Sequence, residues 1–166
     1  MAVSPFADGT PHVSQWPIPP EHYFDYEMNV PVDMAGTYFY HSHVGFQAIT
    51  AGGPLIVEDA AALPYQYDDD KIVFIGDVFK KDDETIEQGL TAIPFVWSGE
   101  SDMVLINGRG GGDNNGTFCN ASLAVIDVKP GTTYRFRFIG ATALTFASLQ
   151  IEGHEDMAVI EADGYA

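Results

Sequence analysis

The residues best suited to chemistry are the histidines of His41-Ser42-His43, set in Gly36-Thr-Tyr-Phe-Tyr-His-Ser-His-Val-Gly-Phe-Gln47. The surrounding run is aromatic and β-branched and reads as a strand. Side chains alternate along a strand, so both imidazoles point to one face, with Cα atoms roughly 7 Å apart. Tyr38, Tyr40 and Ser42 point to the other. Two imidazoles at that separation suit two neighbouring metal ions better than a tight chelate of one. Neutral imidazole is the commonest protein ligand for copper and zinc. The plainer alternative is a pair of hydrogen-bonded barrel residues.

Other motifs carry less. Gly108-Arg-Gly-Gly-Gly112 lacks the Lys-Ser/Thr that completes a phosphate loop, and no clear helix follows it. Asn115-Gly-Thr117 and Asn120-Ala-Ser122 are glycosylation sequons within one Gly/Asn-rich loop, which favours a secreted, extracellular origin for Asn115 and Asn120. They flank Cys119, the single cysteine, which has no internal disulfide partner. The Asp8-Gly9 pair is by itself a turn signal. Trp97, within Pro94-Phe-Val-Trp-Ser-Gly-Glu100, is by itself a packing residue. His12 and His22 read as loop or surface residues, and His154 as structural.

The elements that must position these residues are short strands. Among 166 residues, 17 glycines and 10 prolines punctuate β-like runs, the pattern of a sandwich or barrel. Strands are expected at 12–18, 23–30, 37–43, 54–58, 71–78, 103–106, 123–128, 133–139, 145–152 and 157–161. Only 82–90 reads as a helix, with Asp82-Asp-Glu84 at its start and Gly89 near its stop. Residues 60–70, with small residues, a proline and an acidic run, read as a linker between segments 1–59 and 71–166.

Composition bounds the function classes. An apolar content of 46% supports a globular core. No apolar run approaches the ~20 residues that span a bilayer, and no signal peptide is visible. The net charge of −17, from 24 acidic and 7 basic residues, argues against nucleic acid and anionic membranes as partners.

Three stretches, Asp8-Gly-Thr-Pro-His-Val-Ser-Gln-Trp-Pro-Ile18, Gly36–His43 and Gly53-Pro-Leu-Ile-Val57, closely resemble the first cupredoxin domain of multicopper oxidases. Leu105-Ile-Asn-Gly-Arg-Gly110, Tyr134-Arg-Phe-Arg-Phe-Ile139 and Val159-Ile-Glu-Ala-Asp-Gly164 resemble that family's second domain. Fungal-type L-ascorbate oxidases are the nearest likeness, then laccases.

The resemblance implies an all-β, cupredoxin-like Greek-key sandwich or barrel in two incomplete domains: the C-terminal part of domain 1 (1–59) and the N-terminal part of domain 2 (71–166). A His-Trp-His-Gly-like motif upstream of Asp8 and the third domain, with its type 1 cysteine, are missing. The chain is therefore expected to be an internal fragment, inactive alone, that needs the parent's remaining domains. By resemblance, His41 and His43 are type 3 copper ligands, each on a different ion. They would be two of the eight histidines of a trinuclear type 2/type 3 cluster, fed by a type 1 copper. Asp8 matches an aspartate beside that cluster that relays protons, a role open to a carboxylate. Trp97 matches a tryptophan of the reducing-substrate pocket. Leu144 matches a position where laccases commonly carry a carboxylate. Trp16 stands where relatives often have a cysteine, and the family partner of Cys119 is missing, so a free thiol is expected.

The parent reaction implied is one-electron oxidation of a small organic reductant, ascorbate or a phenol, coupled to reduction of O2 to water. A ferroxidase parent and a non-catalytic β-sandwich that binds metal or serves interaction are the alternatives. Extension of the encoding gene into upstream His-X-His and downstream His-Cys-His motifs would separate enzyme from non-enzyme.

Overall fold

The computed structural model describes residues 9–61, 65–114, 117–119, 123–154 and 156–165. Asp8, Asn115 and Asn120 lie outside them. The class is all-β with little helix. In chain order the elements are β1 (Gly36–His41), a 3-10 turn (Gln47–Ile49), β2 (Gly52–Val57), β3 (Asp69–Val78), α1 (Asp83–Thr91), β4 (Met103–Ile106), β5 (Gly112–Asn114), β6 (Thr117–Cys119) and β7 (Tyr134–Gly140). They form an antiparallel β1–β2 pair, a three-stranded sheet in the order β4-β3-β7, and a small β5–β6 pair.

β3 is the centre of the molecule. It runs antiparallel to β4 and parallel to β7, with Asp70 opposite Arg135, Ile72 opposite Arg137 and Phe74 opposite Ile139. Cross-strand partners share a face, so Asp70, Ile72, Phe74, Arg135, Arg137 and Ile139 form one side of the sheet. That side meets the β1–β2 hairpin. Val73, Ile75 and Asp77 lie on the other side and are buried. Cover on both faces explains why Lys71–Val78 reads as a near-continuous apolar run rather than a strict alternation.

The helix starts where local chemistry dictates. The Asp82 carboxylate accepts the Thr85 N–H at 2.8 Å, which satisfies one of the first-turn donors, and Asp83 and Glu84 suit the positive end of the helix dipole. Ile86 is its buried anchor.

Hydrogen bonds of Thr37 help tie the hairpin to the rest of the fold. Arg137 Nη1 donates to Thr37 Oγ1 at 2.7 Å, and the Thr37 N–H donates to Glu161 Oε1 at 2.7 Å. Arg137 also reaches Asp70, at 3.4 Å, and Asp70 is held by both Arg135 Nε and Nη2 at 2.5 Å. The Arg135 and Arg137 charges hold the Asp70 carboxyl below its ordinary value, the Arg135 hydrogen bonds contributing most.

Several expected strands do not form among the described residues. Segments 12–18, 23–30, 123–128, 145–152 and 157–161 contain no ladder. A strand exists only when a neighbour takes its N–H and C=O groups, and these runs have no such neighbour there. In the first segment the backbone turns on itself instead. The Thr10 carbonyl accepts N–H groups from Val13, Ser14 and Gln15, and His12 adopts a left-handed φ of 62°. The strand expected at 37–43 ends at His41. None of the described helices is long and apolar enough to cross a membrane.

Candidate metal centre

The geometry around the two histidines starts with the hairpin register. β1 pairs with β2 from Gly36↔Val57 to His41↔Gly52. Gly53 lies opposite Tyr40, whose ring crosses the β2 backbone: a Cβ on Gly53 would stand 2.7 Å from the Tyr40 hydroxyl oxygen. Glycine is therefore the residue that lets Tyr40 fold away from the histidine face.

Beyond His41 the Ser42 N–H still donates to the Ala51 carbonyl at 2.7 Å, extending the pairing by one bond. The Ser42 hydroxyl then organises the turn. It donates to Gln47 Oε1 at 3.0 Å and accepts the Val44 N–H at 3.2 Å. A hydroxyl that closes such a turn holds the chain as it leaves the strand. His43 is thereby carried on an ordered turn rather than on a loose end.

The structure brings the imidazoles together. Their ring centroids are 5.6 Å apart with planes inclined by 31°. His41 Nδ1 lies 2.8 Å from the Ser42 carbonyl oxygen. A carbonyl oxygen only accepts, so Nδ1 carries the proton and a neutral His41 presents its Nε2 lone pair outward. Both side chains are solvent-accessible. A ligating histidine is usually oriented in this way, by a hydrogen bond from its other ring nitrogen.

Two exposed imidazoles side by side fit copper by donor chemistry, as part of a ligand set. Among the described residues no group of three or more His, Cys, Asp and Glu side chains is placed to hold a metal ion. His12 and His22 stand elsewhere: His12 meets the Trp16 ring edge-on at 5.2 Å, and His22 Nδ1 donates to the Pro20 carbonyl at 2.9 Å. His154 lines an apolar cleft of about 870 Å³ with Phe136, Phe138, Ile151 and Met157.

Trp97 is half-exposed and stacks on Phe95, with centroids 6.5 Å apart. Its segment is fixed from both sides: the Val96 N–H donates to the Gly89 carbonyl at 3.0 Å, and Lys81 Nζ donates to the carbonyl of buried Ser98. Leu144 belongs to a turn held by Asp77. The Asp77 carboxylate, 1% exposed, accepts the N–H groups of Ala143 at 2.9 Å and of Leu144 and Thr145 at 3.1 Å. The parallel β3–β7 pairing and the antiparallel β4 place the turn after β7, the end of β3 and the chain entering β4 at one end of the sheet. The Trp97 segment, which leads into β4, and the Leu144 turn thus lie at the same end.

Asp77, Ser42 and Arg137 are the residues that sequence reasoning missed. Asp77 had a signal: it continues the Lys71, Val73, Ile75 face of β3 as a carboxylate where alternation requires a buried side chain. Ser42 had none beyond its place between two histidines.

Comparison with known proteins agrees with the resemblance. Residues 69–166 match one multicopper oxidase family model, and residues 1–62 match a second. The chain is 53% identical over 166 residues to the multicopper oxidase aurL2 of Gibberella zeae, covering 97% of this chain and 27% of that protein. It is 42% identical over 202 residues to a laccase-like multicopper oxidase of Thermothelomyces thermophilus, covering 97% of this chain and 31% of the relative. An L-ascorbate oxidase of Cucumis sativus is 37% identical over 179 residues, covering 97% and 30%. The chain thus spans about 30% of the length of these curated relatives. With cupredoxin-type strands, a paired-imidazole face and a family model matched over more than half its length, this chain belongs to the multicopper oxidase family.

Proposed function

We propose that this chain supplies part of the type 3 copper site of an oxidase that couples one-electron oxidation of a small organic reductant to reduction of O2 to water. His41 and His43 each hold a different copper ion, His41 through the Nε2 left free by its Nδ1 hydrogen bond. The observation that carries this reading is the pair of imidazoles at 5.6 Å, with Nδ1 of His41 tied to the Ser42 carbonyl. Bound copper supplies the one-electron redox chemistry. The chain's own part is to hold two donors side by side at the edge of a hairpin, with the His41 tautomer and orientation set by the Ser42 carbonyl. The remaining ligands of the trinuclear cluster, and the type 1 copper, come from the parent's other domains.

Within this reading residues 1–59 and 71–166 belong to two successive cupredoxin domains joined through 60–70. Asp8 relays protons beside the cluster. Trp97 lines the reductant pocket, together with residues the chain does not contain. Asn115 and Asn120 carry glycans on an extracellular enzyme. Ascorbate and phenols are the reductants favoured, because curated relatives include L-ascorbate oxidases and a laccase-like oxidase.

The test uses a complete oxidase containing this sequence. His41→Ala and His43→Ala should each keep the blue type 1 absorbance and abolish O2 uptake, since no type 1 ligand lies in this segment. Asp8→Asn should keep the copper content and slow O2 uptake. Loss of the blue colour in either histidine variant would remove the type 3 assignment. Copper loss in Asp8→Asn as complete as in His41→Ala would remove the relay role.

A further inference from the structure

We infer that Phe39 and Phe74 are positioning residues for His41: a column of rings runs from the central strand β3 to the paired imidazoles and sets the plane in which His41 presents its Nε2. The inference rests on the reading of His41 and His43 as copper ligands. Phe39 precedes His41 by two residues on β1 and so shares its face. The two rings stack with centroids 5.5 Å apart and planes inclined by 28°. Phe39 in turn meets Phe74 edge-to-face at 6.5 Å and 73°. The order along the column is Phe74, Phe39, His41, His43.

The far end of the column is anchored. The Phe74 N–H donates to Asn107 Oδ1 at 2.9 Å, and the Phe74 carbonyl accepts the Asn107 N–H at 2.8 Å. Asn107 Nδ2 donates to the Ile72 carbonyl at 2.9 Å. Phe74 is thus pinned on both sides of its backbone, within a sheet stabilised by its own core. Phe39 has no comparable anchor of its own and is 40% exposed. An aromatic ring left that open on a strand adds little as core, but it is well placed to fix a neighbour.

His41 has one torsion that turns the ring about its Cβ–Cγ bond. The Nδ1 hydrogen bond to Ser42 restrains it from one edge, and the Phe39 stack restrains the plane. An imidazole already held in its binding plane loses less rotational freedom when it ligates. Aromatic contacts of this kind are modest, so removing one should weaken metal affinity by about three- to tenfold rather than abolish it.

The experiment uses this chain, with variants Phe39→Leu, Phe39→Tyr, Phe74→Leu and His41→Ala, all checked by circular dichroism. Two quantities are read: the NMR shift of the His41 Cε1 proton without metal, and Cu(I) affinity by competition with a chromogenic chelator. Phe39→Leu should move the His41 resonance toward its random-coil position and weaken Cu(I) binding by about three- to tenfold. Phe39→Tyr should preserve both. Phe74→Leu should shift both the same way by less. Wild-type binding lost in His41→Ala but unchanged in Phe39→Leu would overturn the inference while leaving the ligand assignment standing. Should the wild-type chain alone not bind Cu(I), the ligand assignment still rests on the complete oxidase, and the His41 Cε1 shift decides the inference: a shift unchanged in Phe39→Leu overturns it. Should Phe39→Leu not fold, cross-relaxation between the Phe39 and His41 ring protons in the wild-type chain is decisive: its presence upholds the column and its absence overturns it.

Discussion

The β1–β2 hairpin and the β4-β3-β7 sheet are written in the same alphabet of aromatic and β-branched residues, yet they are stabilised in opposite ways. Val73, Ile75 and Ile139 lie in the sheet, and Ile86 in the helix beside it; among the described residues these are the buried apolar side chains. In the hairpin only the glycines Gly36 and Gly53 are buried. The sheet holds the core, and the hairpin carries the two candidate ligands. The hairpin takes its geometry from contacts at its border: Thr37 with Arg137 and Glu161, Phe39 with Phe74, and Phe46 with Phe79 at 6.2 Å. The imidazoles of the hairpin stay open, as the proposed ligand role requires, and open side chains contribute little to a core.

The strongest way to break this division is to disturb the sheet at its polar heart. Asp77→Ala strands three backbone N–H donors beneath the Leu144 turn. Donors left unsatisfied in a part-buried turn cost toward the low end of about 1–3 kcal/mol each, so we expect a loss of about 3 kcal/mol in urea unfolding, with the sheet and the turn affected together. Ile86→Ala, which empties a site 1% exposed, should cost about 2–4 kcal/mol and should reach the hairpin only through global unfolding. If either variant altered Cu(I) binding in the folded chain more than His43→Ala does, the separation of roles would fail.

A smaller effect is expected at the border. Arg137→Met removes the bond to Thr37 but leaves Asp70 paired with Arg135. The loss should be about 1–3 kcal/mol, and a Thr37→Val, Arg137→Met double-mutant cycle should return a coupling of about 0.5–1.5 kcal/mol. Additive single effects would show that the hairpin does not lean on the sheet at this point.

The pH dependence sharpens the same border. The folded Asp70 carboxyl titrates below the ordinary 3.8 because the arginines favour its charged form. A depressed folded value means that this stabilisation is fully present above about pH 3.8 and is lost as pH falls through the lower folded value. Unfolding followed from pH 5 downward should show a loss below that point that is reduced in Asp70→Asn. The smallest effect belongs to the turn. Ser42→Ala should cost about 0.5–1.5 kcal/mol or less, read most clearly as faster amide exchange at Val44.

Much of this was legible before any coordinates. The acidic start Asp82-Asp-Glu84 announced α1, the Met103–Ile106 run is β4 as expected, and the strand reading of 37–43 needed trimming by only two residues at its end. The rings of His41 and His43 do lie side by side, although His43 stands past the end of β1 on the turn that Ser42 closes. These are short-range matters: a cap, a period of two, a turn residue. Each is decided by side chains a few positions apart.

Partnership is different. Runs 23–30 and 145–152 alternate as well as β1 does, but alternation names a face and not a neighbour, and among the described residues no strand takes up their hydrogen bonds. Likewise nothing local says that Asp77 gathers three N–H groups from a turn 66 to 68 residues away, or that Arg137 reaches Thr37 across 100 residues. Phe39 and Phe74 are both ordinary strand aromatics in sequence. Only the packing of the sheet on the hairpin lets the Phe74 ring, on a backbone pinned by Asn107, rest against the ring that faces a candidate metal ligand. Residue types and their periods are properties of the chain, whereas contacts at long separation depend on which surfaces remain to be covered once the local elements have formed.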